Sequence, residues 1–355
     1  MVIEVDLSDK KGSYRQERAN LMAVAKYAGV SAMTVSRVLN QPGKVAEATR
    51  KKVQAAVDAL GYVPNLAANT LRRERSGVIV ALVPTLENSV FSDTVQGISN
   101  ALEQEGCQLL LGCSSYSPER EEKLVRALLG HRPDGIILTG TLHTAETHKL
   151  LESARIPVVE MWDIAADHID MAVGFDNFAA GHDIASHMIS CGYESLGYVA
   201  TSPEHEIHEN RAAKRSKGIY AAVAEAGIGM PARQNVRNPL DIADSGVIAA
   251  DFVVANPGLD AIICANEIIG VGAIAELQNR GWQIPDQIAV CGIGDANIAA
   301  LVTPGLTTVQ FYGQDIGKRA AELILDRLNG QQAAEGKQDV GFRIVSRAST
   351  AEKPS

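Results

Sequence analysis

With 355 residues, 46% of them hydrophobic and 21% charged, and a mean hydropathy near zero, the chain has an ordinary globular composition and is long enough for two or three cores. The five cysteines (Cys107, Cys113, Cys191, Cys264 and Cys291) show no CxxC or Cys/His ligand spacing. No apolar segment follows the early basic residues Lys10, Lys11, Arg15 and Arg18, and no apolar run reaches membrane-spanning length. These features argue against a metal or disulfide framework, a secretion signal and a membrane anchor, and they fit reduced thiols in a cytosolic protein.

The net charge of −9 averages two unlike parts. Residues 1–75 hold 13 Lys and Arg against 7 Asp and Glu, or +6, and the remainder holds 20 against 35, or −15. A basic head on an acidic body fits polyanion binding at one end only, although charge alone is equally compatible with a solvated basic surface.

In chain order, residues 1–16 are polar and aperiodic and are expected to form a disordered tail. Three short helices are predicted between 17 and 63. Leu21, Val24, Ala25 and Ala28 share one apolar face, ended by Gly29. Ser31 can cap a second helix with Val35, Val38 and Leu39 inward, closed by Asn40 and Pro42-Gly43. Val45, Thr49, Val53, Ala56 and Leu60 then recur at helical spacing until Gly61. Residues 64–76 are a helix-competent stretch, too short to be stable alone in water, followed by a linker. At Gly77 the texture changes. Short apolar runs (78–83, 108–111, 136–138, 157–159, 197–200, 261–264 and 288–291) alternate with amphipathic helices (91–105, 119–129, 178–190, 216–226 and 268–280). This βα repetition predicts doubly wound parallel sheets, and its length predicts two lobes across 77–350, with 351–355 left as a tail.

The run Val24-Ala-Lys-Tyr-Ala-Gly-Val-Ser-Ala-Met-Thr-Val-Ser-Arg-Val-Leu-Asn40 resembles the helix-turn-helix of the lactose/galactose/purine repressor family. Thr49-Arg50, Val53, Leu60-Gly-Tyr-Val-Pro-Asn65, Ala68 and Leu71 resemble that family's third helix and hinge. The resemblance implies a bacterial, nucleoid-associated transcriptional repressor. An all-α DNA-binding head would place its second helix in the major groove, and a homodimer would read a pseudo-palindromic operator, with tetramer formation left open. The implied DNA-facing residues are Ala32, Met33, Thr34, Ser36, Arg37, Asn40 and Tyr62, together with Asn65, Ala68 and Leu71 of a hinge helix whose leucine wedges into the minor groove. Arg37 could pair with guanine in a bidentate contact that discriminates by roughly 1–3 kcal/mol. Ala46 stands where the family usually has a serine at the start of the third helix, which removes a cap of about 1 kcal/mol.

The body resembles the same family's effector domain and the periplasmic sugar-binding proteins. That likeness implies an N-lobe of about 77–176 and 307–338, a C-lobe of about 177–306 and 339–350, and crossovers near Asp176, Leu306 and Gly341. A small-molecule effector would lie between the lobes, at the carboxyl ends of the strands. The candidate contacts are Ser89, Phe91, Tyr116, Thr139, Glu160, Trp162, Asp176, Arg215, Asn266 and Asp295. Arg215 matches the family's ligand-binding arginine, whose fork suits a carboxylate or paired hydroxyls. Glu267 replaces an aspartate of the family pattern, and Gly294-Asp295 keeps one carboxylate where two are often found. Asn88–Phe91 and the stretches 156–163 and 172–177 resemble the gluconate-repressor branch, which implies a hexonate such as gluconate or a ketogluconate acting as inducer. Arg211, Lys214, Arg215 and Lys217 suit an anionic ligand, and would equally suit a solvated helix face.

A neutral-sugar effector or a corepressor keeps the same architecture. A sugar carrier would share the body but not the head or the absence of a secretion signal. An enzyme is not expected, since no phosphate-binding glycine loop, HExxH, nucleophile elbow or paired CxxC occurs, and no cofactor or metal is implied.

Overall fold

The computed structural model describes residues 20–63, 75–86, 89–164, 167–237, 241–331 and 336–353. They belong to two units that divide after Ser76. In the first, α1 (Leu21–Ala28), α2 (Ala32–Asn40) and α3 (Glu47–Leu60) form a small bundle, with a 3-10 turn at Pro42–Lys44. Its core is Val24, Ala25, Val35, Val38, Val53 and Ala56, the positions that helical spacing selects. Local capping sets the limits. The Asn20 side chain accepts from the Ala23 amide at 2.9 Å and Ser31 Oγ from the Thr34 amide at 3.1 Å, while Gly29 and Gly61 close α1 and α3 in the left-handed region. Ala46 precedes α3 without a side-chain cap, as the sequence predicts.

The second unit is built on twelve described strands: β1 (Val78–Val83), β2 (Gln108–Cys113), β3 (Gly135–Thr139), β4 (Val158–Met161), β5 (Met171–Gly174), β6 (Leu196–Thr201), β7 (Ala232–Val236), β8 (Ala261–Cys264), β9 (Ala289–Ile293), β10 (Thr307–Phe311), β11 (Lys337–Asp339) and β12 (Phe342–Val345). They form two six-stranded sheets in the orders β11-β5-β4-β3-β1-β2 and β12-β10-β9-β8-β6-β7. The first is parallel throughout. The second departs from the all-parallel expectation at one edge, where β12 runs antiparallel to β10. The central strands β1, β3 and β8 are nearly continuous apolar runs because helices cover both faces.

The chain passes between the lobes three times. The first passage follows β5 at Phe175–Asp176, and the last lies between β11 and β12. The middle one corrects the expectation. Residues 307–311 were assigned to the first lobe, with a crossover near Leu306, but they form β10 and pair with β9 in the second sheet. The chain therefore recrosses after Phe311. Thr307 and Thr308 are fully buried, and the Thr308 hydroxyl bonds back to the Gly292 carbonyl at 2.9 Å, so this threonine-rich segment is held as an interior strand. The end of the chain is a second correction. Residues 351–353 are tied down, with Tyr193 Oη donating to the Ala351 carbonyl at 3.0 Å and Lys353 paired with Asp260 at 2.8 Å.

Three pairs of helices meet backbone to backbone at glycines. A Cβ added to Gly181 would strike the Arg215 carbonyl, and one added to Gly218 would strike that of Phe178, where Asn177–Ser190 crosses Asn210–Glu225. Gly97 and Gly317 do the same for Ser89–Gln104 against Gly313–Leu328, as do Gly246 and Gly272 for Ile242–Ala255 against Glu267–Asn279. Among the described residues no helix is long and apolar enough to cross a membrane, and the five cysteines are free thiols.

Candidate functional site

On the head, the predicted reading helix presents Arg37 and Met33 outward, Met33 with 64% of its surface exposed. Thr34 and Ser36 are half-buried, and the Thr34 hydroxyl lies 2.9 Å from that of Ser31. Ala32 and Tyr62 are also half-buried and pack against the small core of the head. Tyr27, which sequence reading left aside, is 63% exposed on α1. The side chain of Asn40 and the hinge residues Asn65, Ala68 and Leu71 lie outside the described residues.

In the second unit the carboxyl ends of the two sheets face each other, and a narrow cleft opens between them. First-lobe residues Ser114, Tyr116, Glu121, Thr139 and Gly140 line one side, and Glu209, Asn210 and Arg211 of the second lobe line the other. Asn210 Nδ2 donates to Thr141 Oγ1 at 3.1 Å, Lys214 Nζ meets Asp163 Oδ2 at 2.5 Å, and the Arg211 guanidinium lies 5.6 Å from the centre of the Phe91 ring. Three successive contacts from one helix, Asn210–Glu225, thus tie the lobes together. Arg211 is 4% exposed and bound to Glu209 at 2.6 Å. Of the basic segment, Arg211, Lys214 and Arg215 are thus paired and turned inward to differing degrees, whereas Lys217 is exposed.

Arg215 donates to Asn177 Oδ1 at 2.7 Å, and Asn177 in turn donates to the Trp162 carbonyl at 2.9 Å. Trp162 is held at φ 71°, a conformation that is unusual for a bulky residue. Its ring sits among Phe91, Phe175 and Phe311 at 5.3–6.0 Å between centroids. Phe175 and Phe311, which sit on two of the three lobe crossings, stack at 4.3 Å.

The remaining predicted contacts are engaged within the protein. Asp176 Oδ1 caps Asn177–Ser190 by accepting from Phe178 and Ala179, and Asn266 Oδ1 caps Glu267–Asn279 by accepting from Ile269 at 3.0 Å. Both carry out the capping that their position before a helix invites. Thr139 Oγ1 donates to the Leu82 carbonyl at 2.9 Å. Asp295 accepts from Gln310 at 2.8 Å and pairs with Arg347 at 2.7 Å. The Ser89 side chain lies outside the described residues.

Glu160 is fully buried, accepts from the Ile169 amide, and lies 3.3 Å from His143 Nε2, while Glu121 holds His143 Nδ1 at 2.6 Å. Burial alone would lower the imidazole's pKa. The hydrogen bonds and charges of Glu121 and Glu160 outweigh it and raise the group from 6.5 to about 9, so His143 is cationic at neutral pH. Sequence reading missed both partners. Glu121 looks like a surface charge of an amphipathic helix, and His143 is a lone histidine in a loop.

The fold has counterparts among known proteins. Residues 20–65 match the model described as bacterial regulatory proteins, lacI family, and residues 76–343 match that of periplasmic binding proteins and sugar binding domain of LacI family. The HTH-type transcriptional regulator GntR of Escherichia coli (strain K12) is 33% identical over 93% of this chain and 98% of its own length. A LacI family transcriptional regulator from Silicibacter pomeroyi superposes with a TM-score of 0.87 at 32% identity, covering 93% of this chain and 98% of that one. The transcription regulator GntR of Chromobacterium violaceum gives 0.73 at 33% identity over 77% of this chain and 99% of its own.

Proposed function

Because the chain belongs to the lacI family of bacterial regulatory proteins, and so is a DNA-binding transcriptional repressor rather than an enzyme, we propose that its effector is a sugar acid of the hexonate class, which binds between the lobes and releases the operator. The observation that carries this reading is the row of Arg211, Lys214 and Arg215 on one helix whose first residues, Asn210 and Arg211, line the interlobe cleft beside Glu209, with Lys214 reaching Asp163 of the other lobe. A planar guanidinium recognises a carboxylate through two parallel hydrogen bonds, and neighbouring hydroxyl-binding groups such as Tyr116 and Glu121 suit a polyol chain. Arg215 is held closely by the neutral Asn177, at 2.7 Å, and only at 4.0 Å by Glu209, so an anion can take the place of Asn177 without displacing a close ion pair. The head reads DNA through α2, with Arg37 as base reader and Met33, Ala32, Thr34, Ser36 and Asn40 around it, and Tyr62, Asn65, Ala68 and Leu71 extend the contact in a homodimer.

A ligand that touches both lobes favours one lobe angle. It can change operator affinity only by its differential affinity for the two states, commonly 1–3 kcal/mol of coupling, or roughly 5- to 150-fold. Calorimetric titration of gluconate and 2-ketogluconate, with and without operator DNA, tests this directly. Binding should be weaker with operator present, and Arg215→Ala should abolish it while leaving operator binding intact. No heat from either acid overturns the sugar-acid reading, and equal affinity in the presence and absence of operator overturns the release mechanism.

A further inference from the structure

We propose that Glu267 is a specificity-determining residue of the effector site: its carboxyl, protonated, donates a hydrogen bond to the ligand's acid group, so that the anion binds together with one proton. The inference rests on the sugar-acid reading above and adds a chemical requirement to it.

Glu267 opens the helix Glu267–Asn279 at the carboxyl end of β8, and only 2% of it is exposed. Its Oε2 occupies the space in which a side chain at position 294 would stand. Gly294, at φ 102°, thus leaves room for the carboxyl to lie across the ends of β8 and β9. Oε1 is buried and has no hydrogen-bond partner among the described residues. A buried carboxyl oxygen without a partner is costly, and a ligand oxygen supplies one.

The charged groups that act on this carboxyl are Arg215 from the helix Asn210–Glu225 and Asp295 from the loop after β9. Arg215 is bonded to Asn177 and lies 4.0 Å from the Glu209 carboxylate, and Asp295 is tied to Arg347 and Gln310. The other carboxylates around the cleft have a close cation: Glu121 and Glu160 with His143, Asp163 with Lys214, and Glu209 with Arg211. Glu267 has none. Burial raises its pKa from 4.5 to about 7, partly offset by its own backbone amide and Arg215 and reinforced by Asp295. A neutral carboxyl both donates and accepts, whereas an ionised one would repel an anionic ligand. In the bound state the O–H points to the ligand carboxylate, whose charge is met by Arg215. Above neutral pH the proton comes from solvent.

The test is calorimetric titration of gluconate at pH 6, 7 and 8, repeated at pH 7 in two buffers of different ionisation enthalpy. One-proton linkage makes wild-type binding about tenfold weaker at pH 8 than at pH 6, with net proton uptake at pH 7. Glu267→Gln keeps a donor but cannot ionise, so it should bind equally at all three pH values, and Glu267→Ala should bind weakly throughout. Operator binding by each variant shows that it is folded. A wild-type slope retained in Glu267→Gln, or wild-type heats independent of buffer, overturns the role of Glu267 while leaving the sugar-acid reading standing. If no sugar acid binds the wild type at any pH, both fall.

Discussion

Gly181→Val is expected to lower the unfolding free energy of the effector-binding unit by roughly 3 kcal/mol, at the upper end of overpacking costs. Gly181 faces the Arg215 carbonyl and Gly218 faces that of Phe178, so each glycine meets main chain rather than a side chain that could change rotamer. The only relief is to move one helix, and the helix that moves carries Arg215. The variant should therefore also lose the 2.7 Å bond from Arg215 to Asn177 and respond weakly to effector. Gly229→Ala, where an added Cβ meets nothing, is the matched control and should stay within about 0.5 kcal/mol. Denaturant midpoints of the full chain measure both. A loss below about 1 kcal/mol for Gly181→Val would show that the crossing opens cheaply.

His143→Ala is expected to cost about 3–5 kcal/mol, because it removes the cation from between two buried carboxylates and leaves Glu121 and Glu160 without it. The wild-type contribution should also depend on pH. The folded-state pKa, about 9, lies above the ordinary 6.5. The stabilisation is therefore complete below about pH 6.5 and disappears as pH rises through 9. Unfolding midpoints compared at pH 6.5 and 9.5 should show the wild type falling toward the variant. Parallel midpoints across that range would mean that the imidazole is already neutral in the folded chain.

Legibility in the sequence follows locality. The strands at 78–83 and 261–264 agree to the residue, because a strand buried on both faces is an uninterrupted apolar run. The edge strands β7 and β11 carry Arg233, Gln234 and Asn235, and Lys337 and Asp339, so no apolar signal marks them. The helix predicted from Ser216 begins at Asn210, because its polar first turns face the cleft and do not repeat an apolar period. In the head, where the core is made by helices adjacent in sequence, Val24, Val35 and Val53 were all identifiable. The candidate site was legible where resemblance supplied a position, as for Arg215. It was not legible where chemistry depends on distant partners. Nothing near His143 in sequence announces Glu121 or Glu160, and nothing in Gly294 announces that Glu267 fills the space beside it.

The aromatic packing at the lobe crossings has a practical consequence. Trp162 is one of only two tryptophans in the chain, and it touches the stacked pair Phe175 and Phe311 through which the chain passes from lobe to lobe. Any rotation of one lobe on the other must slide those rings and change the field around a buried indole. The repressor thus carries its own optical gauge of lobe angle. With Trp282→Phe removing the other emitter, its intrinsic fluorescence would report domain closure in real time without an attached dye.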